Sequence, residues 1–230
     1  MWRAPLGPMA CLGCERWIRI ESGAGCGIDY AMIKAVIFDI GNVLLSFDFG
    51  RVLRRIVPHC GVNPADFSTR LEPLKMDLES GRISADAFLD RASVALAYRG
   101  ERSELVRAWQ EIFEPIEKTH RLVDGLASRF PLYLLSNTNN LHAEYFMGEY
   151  PVFRRFKDRV FSHEAGLMKP DPGIYRHALE KFGLEAGEAF FVDDLAENVE
   201  AARGEGIQSH QYDAGRHELL ENDLRAAGVL

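Results

Sequence analysis

Little in this sequence speaks for a membrane, a nucleic acid or an oxidising compartment. No run approaches the roughly 18 to 20 consecutive apolar residues of a bilayer span, and the opening residues lack the continuous apolar segment of a secretory signal. Lys and Arg number 27 against 34 Asp and Glu, a net charge of −7. No Lys/Arg cluster interrupts that acidic balance, so the electrostatic footprint of a nucleic-acid or anionic-membrane binder is missing. Cysteine is scarce: there are four, and Cys11, Cys14 and Cys26 fall before residue 32, leaving Cys60. Neither a disulfide framework nor a zinc finger follows, because Cys11-Leu-Gly-Cys14 has no second Cys or His pair at finger spacing. A cytoplasmic protein is the expectation. Internal repeats and low-complexity tracts are also missing.

What is present is a chain of 230 residues, 47% hydrophobic and 27% charged, the profile of one globular domain carrying a smaller insert. Residues 1–31 stand apart, with five Gly, two Pro and two of the three Trp, no periodicity, and three acidic against three basic residues. They read as a disordered or artefactual extension. Met32 precedes the first strand-like run and would serve as an initiator. The whole net charge belongs to residues 32–230.

Residues 33–38 form a short β-branched apolar run suited to a strand buried on both faces of a parallel sheet, and it stops at Asp39. Three more runs behave alike. Residues 131–135 end at Ser136-Asn137, residues 159–161 lead through Gly166 to Lys169-Pro170, and residues 189–192 end at Asp193-Asp194. Helical patterns lie between and after them. Asp171 and Pro172 open one with Ile174, Tyr175, Ala178, Leu179 and Phe182 at helical spacing before Gly183, and another spans 197–203. Strands alternating with helices imply right-handed crossovers and an α/β, doubly wound, Rossmann-like parallel sheet. Ligands bind beyond the carboxyl ends of such strands, so the four polar strand ends are expected to converge on one cleft.

The interval from Asp39 to Ser136 is too long for one crossover helix. It holds four amphipathic patterns: around Val52–Val57, from Phe67 to Leu78 after Asn63-Pro64, from Phe88 to Leu96 after Ser84, and from Leu105 to Phe113 after Ser103. These predict a small helical bundle over the cleft, a cap at 50–117 inserted into a core formed by 32–49 and 118–230. Cys60 is expected to pack within that cap.

Aspartate is a covalent nucleophile toward phosphoryl groups, and Asp39 is delivered to the sheet edge beside Gly41, which permits close backbone approach to a ligand. Asp193 and Asp194 offer hard oxygens suited to Mg²⁺. Neighbouring strand residues face opposite ways, so one of the pair is expected to bind metal and the other to support it. Ser136 and Asn137, read as opening a helix over 139–146, offer a hydroxyl and backbone N–H groups as an anion cradle. Lys169 supplies a cation. His142 is expected to pack, and Asn198 either orients the metal site or starts a helix.

The ordered motifs Phe-Asp39-Ile-Gly-Asn-Val, Leu-Leu-Ser136-Asn-Thr-Asn, Gly-Leu-Met-Lys169-Pro-Asp-Pro and Phe-Val-Asp193-Asp194 resemble the haloacid dehalogenase-like (HAD) hydrolase superfamily over residues 33 to about 213. The Asp-X-Gly-Asn form, the Ser-Asn-Thr-Asn run before Leu141-His142, and the helical insert are similar to its α-D-glucose-1-phosphate phosphatase branch. The resemblance implies that Asp39 attacks phosphorus to give an aspartyl-phosphate that water then cleaves. It further implies Mg²⁺ held by Asp39, the Gly41 carbonyl and Asp194 with Asp193 nearby, phosphate gripped by Ser136 and the Asn137 N–H, and Lys169 bridging to Asp39.

Position 41 departs from the pattern, because most phosphatases of the superfamily carry there an aspartate that protonates the leaving group and activates water. Glycine does neither, and such help is worth about 10²- to 10⁴-fold in rate. An anomeric phosphate leaves as a less basic hydroxyl, which agrees with a small sugar phosphate such as glucose 1-phosphate; Asp48, Asp77 and Glu79 are the candidate substitutes. Two other readings stay open. One is a haloacid dehalogenase-type hydrolase, which attacks carbon without metal. The other is a catalytically weak protein that binds a phosphorylated metabolite. The expected partner is a small phosphorylated metabolite, and the expected state a monomer.

Overall fold

The computed structural model describes residues 32–230. The expectations about the first 31 residues, including the Cys11/Cys14 pair, lie outside the described residues. In chain order the elements are β1 (Ala35–Phe38), β2 (Leu45–Phe47), α1 (Phe49–Ile56), α2 (Phe67–Glu79), α3 (Ala85–Ala95), α4 (Arg102–Gln110), β3 (Phe113–Pro115) and α5 (Glu117–Leu126). Then follow β4 (Leu132–Ser136), α6 (Asn140–Glu149), β5 (Asp158–Phe161), α7 (Ser162–Ala165), α8 (Pro172–Phe182), β6 (Ala189–Asp193), α9 (Ala196–Gly204), β7 (Gln208–Gln211) and α10 (His217–Ala226).

Five strands form a parallel sheet in the order β5-β4-β1-β6-β7. Strand β1 sits at its centre because all four of its residues are apolar and can be buried on either face. The period-two alternation sorts those residues between two cores. Val36 and Phe38 face one side with Leu132, Leu134, Phe190 and Val192, where α5, α6 and α10 pack through residues such as Val123, Phe146 and Leu224. Ala35 and Ile37 face the other with Tyr133, Leu135 and Phe191, under Ile174, Tyr175 and Phe182 of α8 and Ala202 of α9. This is the doubly wound α/β sheet the alternating pattern predicts. Among the described residues, no helix is long and apolar enough to cross a membrane.

Helix boundaries follow local chemistry. The Asp171 carboxylate caps α8 by accepting from Gly173 N, Pro172 occupies its first position, and Gly183 ends it at φ +67. Ser84 caps α3 through Ala87 N. Two starts differ from the sequence reading. Helix α6 begins at Asn140 with Asn139 as its cap, so Ser136 is the last residue of β4 rather than a helix opener. Helix α4 begins at Arg102, which places Ser103 inside it.

Helices α1 to α4 lie between β2 and β3, which pair antiparallel as a short ribbon with Phe47 opposite Phe113. One continuous apolar cluster runs from the sheet face through Val43, Leu44 and Leu45 into Ile56, Phe67, Phe88 and Trp109 of the inserted helices. The far end of α2 is tied to α7. Ser162 Oγ donates to the Glu79 carbonyl at 2.6 Å and accepts from Thr138 N at 3.0 Å. Gly81 has φ +71, and a Cβ there would lie 2.4 Å from the His163 carbonyl oxygen.

Gly81→Ala is therefore expected to cost about 2 kcal/mol or more, from left-handed backbone strain plus a contact with backbone that cannot swing aside. Equilibrium urea unfolding measures this. An unchanged midpoint would show that the junction between α2 and α7 relaxes freely.

Candidate active site

The strand order reverses beside β1, and beyond the carboxyl ends of β1, β4 and β6 lies a cavity of about 370 Å³. Its floor carries Asp39, Gly41, Asn42, Ser136, Lys169 and Asp194. Its other walls come from the insert and α6, through Phe47, Phe49, Lys75, Glu79, Phe113 and His142. The four polar strand ends anticipated from the sequence thus share one cleft.

Asp39 leaves β1 while its N–H still donates to the Val192 carbonyl at 2.9 Å, which fixes the carboxylate at the sheet edge. Lys169 stands with its ammonium 2.9 Å from Asp39 Oδ1 and 2.5 Å from Asp193 Oδ2, its side chain 1% exposed. Its backbone is clamped by the Asn137 side chain. Asn137 Nδ2 donates to the Lys169 carbonyl and Lys169 N donates to Asn137 Oδ1, both at 2.8 Å. Two loops 32 residues apart in sequence are thereby locked together. The Asn137 side chain works as a positioning group, a function its place after Ser136 does not suggest.

Asp193 is fully buried and saturated with donors. Leu195 N reaches Oδ1 at 2.9 Å, and Asn198 Nδ2 reaches the two oxygens at 3.0 and 3.1 Å. Asp194 is more open, taking one bond from Asn42 Nδ2 at 3.0 Å. Asn42 can turn toward it because its φ is +51, a conformation asparagine tolerates better than most residues. Asn198, in the first turn of α9, therefore holds Asp193 in place.

Burial pushes the Asp39 carboxyl up to about 6, with the Lys169 charge pulling it down, Asp193 pushing it up, and the Ser136 hydroxyl lowering it slightly. Burial likewise raises Asp194. Burial opposes the Lys169 charge, yet its pKa is raised, because the charges and hydrogen bonds of Asp39 and Asp193 together outweigh that desolvation. Three carboxylates against one ammonium leave the ionised cluster with two net negative charges. One oxygen from each of Asp39, Asp193 and Asp194 lies within 4.8 Å of the others. Hard oxygens, close spacing and that residual charge fit a divalent cation. Asn198 Oδ1, buried without a donor among the described residues, could be satisfied by water of a hydrated cation.

His142 packs its ring edge-on to Phe113 at 5.0 Å and near Trp109, and its Nδ1 meets Asn139 Nδ2 at 3.1 Å. Burial takes its pKa down to about 4, so it is neutral at physiological pH. Of the three candidate substitutes for the missing acid, two point elsewhere. Asp48 caps α1 through Gly50 N at 2.7 Å and pairs with Arg54 at 2.8 Å, and Asp77 pairs with Arg82 at 2.8 Å. Glu79 alone of the three lines the cavity.

Comparison with known proteins agrees with this geometry. D-ribitol-5-phosphate phosphatase of Bacteroides thetaiotaomicron is 26% identical over 80% of this chain and 94% of its own length. Acyl-CoA dehydrogenase family member 10 of Mus musculus is 36% identical over 84% of this chain, a stretch that is 19% of that longer protein. A crystal structure of a HAD family enzyme from Bacteroides thetaiotaomicron, in complex with magnesium and inorganic phosphate, superposes with a TM-score of 0.72 at 27% identity, covering 80% of this chain and 96% of that one. Residues 33–206 match the haloacid dehalogenase-like hydrolase family. The chain belongs to the haloacid dehalogenase-like hydrolases.

Proposed function

We propose that the protein is a Mg²⁺-dependent phosphomonoesterase working through an aspartyl-phosphate on Asp39, with a small sugar phosphate as substrate. The observation that carries the reading is the buried Asp39, ion-paired to Lys169 at 2.9 Å, in a cleft that holds two further carboxylates. A nucleophile has to be aimed and kept free of competing bonds, and Lys169 does the first without covering both oxygens. Asp39, Asp194 and the Gly41 carbonyl would hold the cation, with Asp193 kept in register by Lys169 and Asn198. A bound Mg²⁺ would neutralise phosphoryl oxygens that the acidic cleft otherwise repels.

The remaining steps belong to the chain. Ser136 and the Asn137 N–H hold the phosphoryl oxygens, and Lys169 meets the charge that develops beside Asp39. An Asp39 oxygen attacks phosphorus as the ester P–O bond breaks, and water later releases inorganic phosphate and restores the carboxylate. A sugar-sized leaving group suits the cavity volume, the phenyl faces of Phe47 and Phe49, and the polar groups of Lys75, Glu79 and His142. The relative named for ribitol 5-phosphate supports the same class; glucose 1-phosphate is the reference substrate for the anomeric alternative.

Phosphate release from a panel of sugar, polyol, nucleotide and aryl phosphates tests the reading. Turnover on a sugar or polyol phosphate that stops with chelator and returns with Mg²⁺ is expected. Metal-independent turnover, or dehalogenation without phosphate release, would overturn it. Mg²⁺ at about 100 times its Kd is also expected to stabilise the protein by about 2.7 kcal/mol, read as a rise in Tm. Asp194→Asn should lose most of that rise; a full rise in the variant would remove Asp194 from the metal site.

A further inference from the structure

We propose that Glu79, at the end of the inserted helix α2, is the general acid and base of the reaction: it protonates the leaving oxygen and then takes a proton from the attacking water. The inference rests on the phosphomonoesterase reading and adds to it the group that handles protons.

An ester oxygen that departs from phosphorus needs a proton unless it is already a weak base. Gly41 itself has no side chain to donate a proton, and a Cβ there would lie 3.3 Å from Phe47 Cε1 and 3.9 Å from Asp39 Oδ2. The Phe47 ring is the neighbour on that side. The donor must therefore reach the leaving group from elsewhere in the cavity wall.

The other titratable groups lining the cavity are committed. Asp39 is the nucleophile, Asp194 belongs to the cation site, and Lys169 is bound between Asp39 and Asp193. His142 is neutral and has its Nδ1 engaged with Asn139, so it carries no proton of suitable acidity. The Lys75 ammonium lies over the Phe49 ring, 4.5 Å from its centroid, and an ammonium is a poor acid at neutral pH. Glu79 remains. Its carboxyl makes no hydrogen bond to a described residue, while its backbone carbonyl is pinned by Ser162 Oγ at 2.6 Å, so the side chain is held in the wall yet unoccupied.

Burial pushes the Glu79 carboxyl above its ordinary value, with Lys75 pulling it down and Glu72 pushing it up from the same helix. Facing it across the cavity are neutral His142 and the floor groups Asp39, Asp194 and Lys169. A raised carboxyl pKa is the tuning a general acid requires. In the first step the P–O bond to the leaving group breaks with its electron pair on oxygen, and the Glu79 proton moves to that oxygen. In the second, water attacks the phosphorus of the aspartyl-phosphate, its proton passes to Glu79, and the bond to Asp39 breaks. Glu79 ends protonated, and one ester and one water have become one alcohol and one phosphate.

The test compares Glu79→Gln with the wild-type enzyme on two Mg²⁺-supported substrates, a sugar or polyol phosphate with a basic alkoxide leaving group and p-nitrophenyl phosphate with a weakly basic one. Expected are a fall in kcat/KM, which reports the step that expels the leaving group, of about 10²-fold or more on the alkyl ester, a fall of less than about 5-fold in kcat/KM on the aryl ester, where little protonation is needed, and loss of the high-pH limb of the alkyl kcat/KM profile. Hydrolysis of the aspartyl-phosphate, common to both esters, should slow equally for both. Glu79→Asp should recover part of the alkyl activity. Retained kcat/KM on the aryl ester certifies that the variant is folded and metal-loaded. Equal losses of kcat/KM on both esters, or an unchanged kcat/KM on the alkyl ester, overturn the assignment. A wild-type protein that hydrolyses neither ester refutes the phosphomonoesterase reading instead, and so the two failures are separable.

Discussion

Asp39→Asn is expected to lower kcat on any phosphomonoester by about 10⁴-fold or more, equivalent to at least about 5.5 kcal/mol of barrier. The amide has nearly the volume and shape of the carboxylate, so the cleft should keep its geometry while losing the one oxygen nucleophile aimed along the sheet edge. Stability should move the other way. The wild-type cluster sets Asp39, Asp193 and Asp194 against a single Lys169, and neutralising Asp39 removes like-charge repulsion from a buried site. In metal-free buffer the variant is expected to unfold at an equal or higher temperature, separating catalysis from folding. Rapid quench of the wild-type enzyme during turnover should trap a phosphoryl group that hydroxylamine removes, and the variant should trap none. Substantial turnover in Asp39→Asn would mean that water attacks the ester directly, and the covalent route would be wrong.

How the same cleft is reached from sequence depends on which physical signal each residue carries. Strands β1, β4 and β6 are legible because each is an apolar run broken by a polar residue, and a parallel strand buried on both faces leaves that mark. Strand β7 carries no such mark. Its sequence, Gln-Ser-His-Gln, is polar because it closes the sheet edge. The ribbon of β2 and β3 escapes for a different reason, since three-residue strands are too short for any period to show, yet it places Phe47 and Phe113 in the cavity wall. Asp39, Lys169 and Asp193 could be anticipated as neighbours from topology alone. Their support could not, because the clamp of Asn137 on the Lys169 backbone and the bond from Ser162 to Glu79 join segments far apart in sequence. Asp48, Asp77 and Glu79 look equivalent as letters. What separates them is the direction in which α1 and α2 turn their side chains, and that follows from tertiary packing.

Lys169→Met is expected to be the most destabilising single change in the cleft, at about 3 to 5 kcal/mol at pH 8. Methionine preserves much of the stem's packing, so the loss isolates the ammonium that compensates two buried carboxylates. The pH dependence has a definite sign. Asp39 is already raised to about 6, so between the ordinary carboxylate range and that value the native state holds a proton that the unfolded chain has released. This contribution makes stability fall as pH rises through the window. Without Lys169, whose charge and hydrogen bond both lower Asp39, the folded pKa climbs further and the window extends toward neutral pH. The variant should therefore lie closer to wild type at pH 5.5 than at pH 8, and Mg²⁺ should recover part of the loss at pH 8 by supplying the missing positive charge. Urea denaturation at the two pH values, with and without metal, measures all three effects. A loss independent of pH would place the cost in side-chain packing, and the charge balance assigned to the cluster would then be wrong.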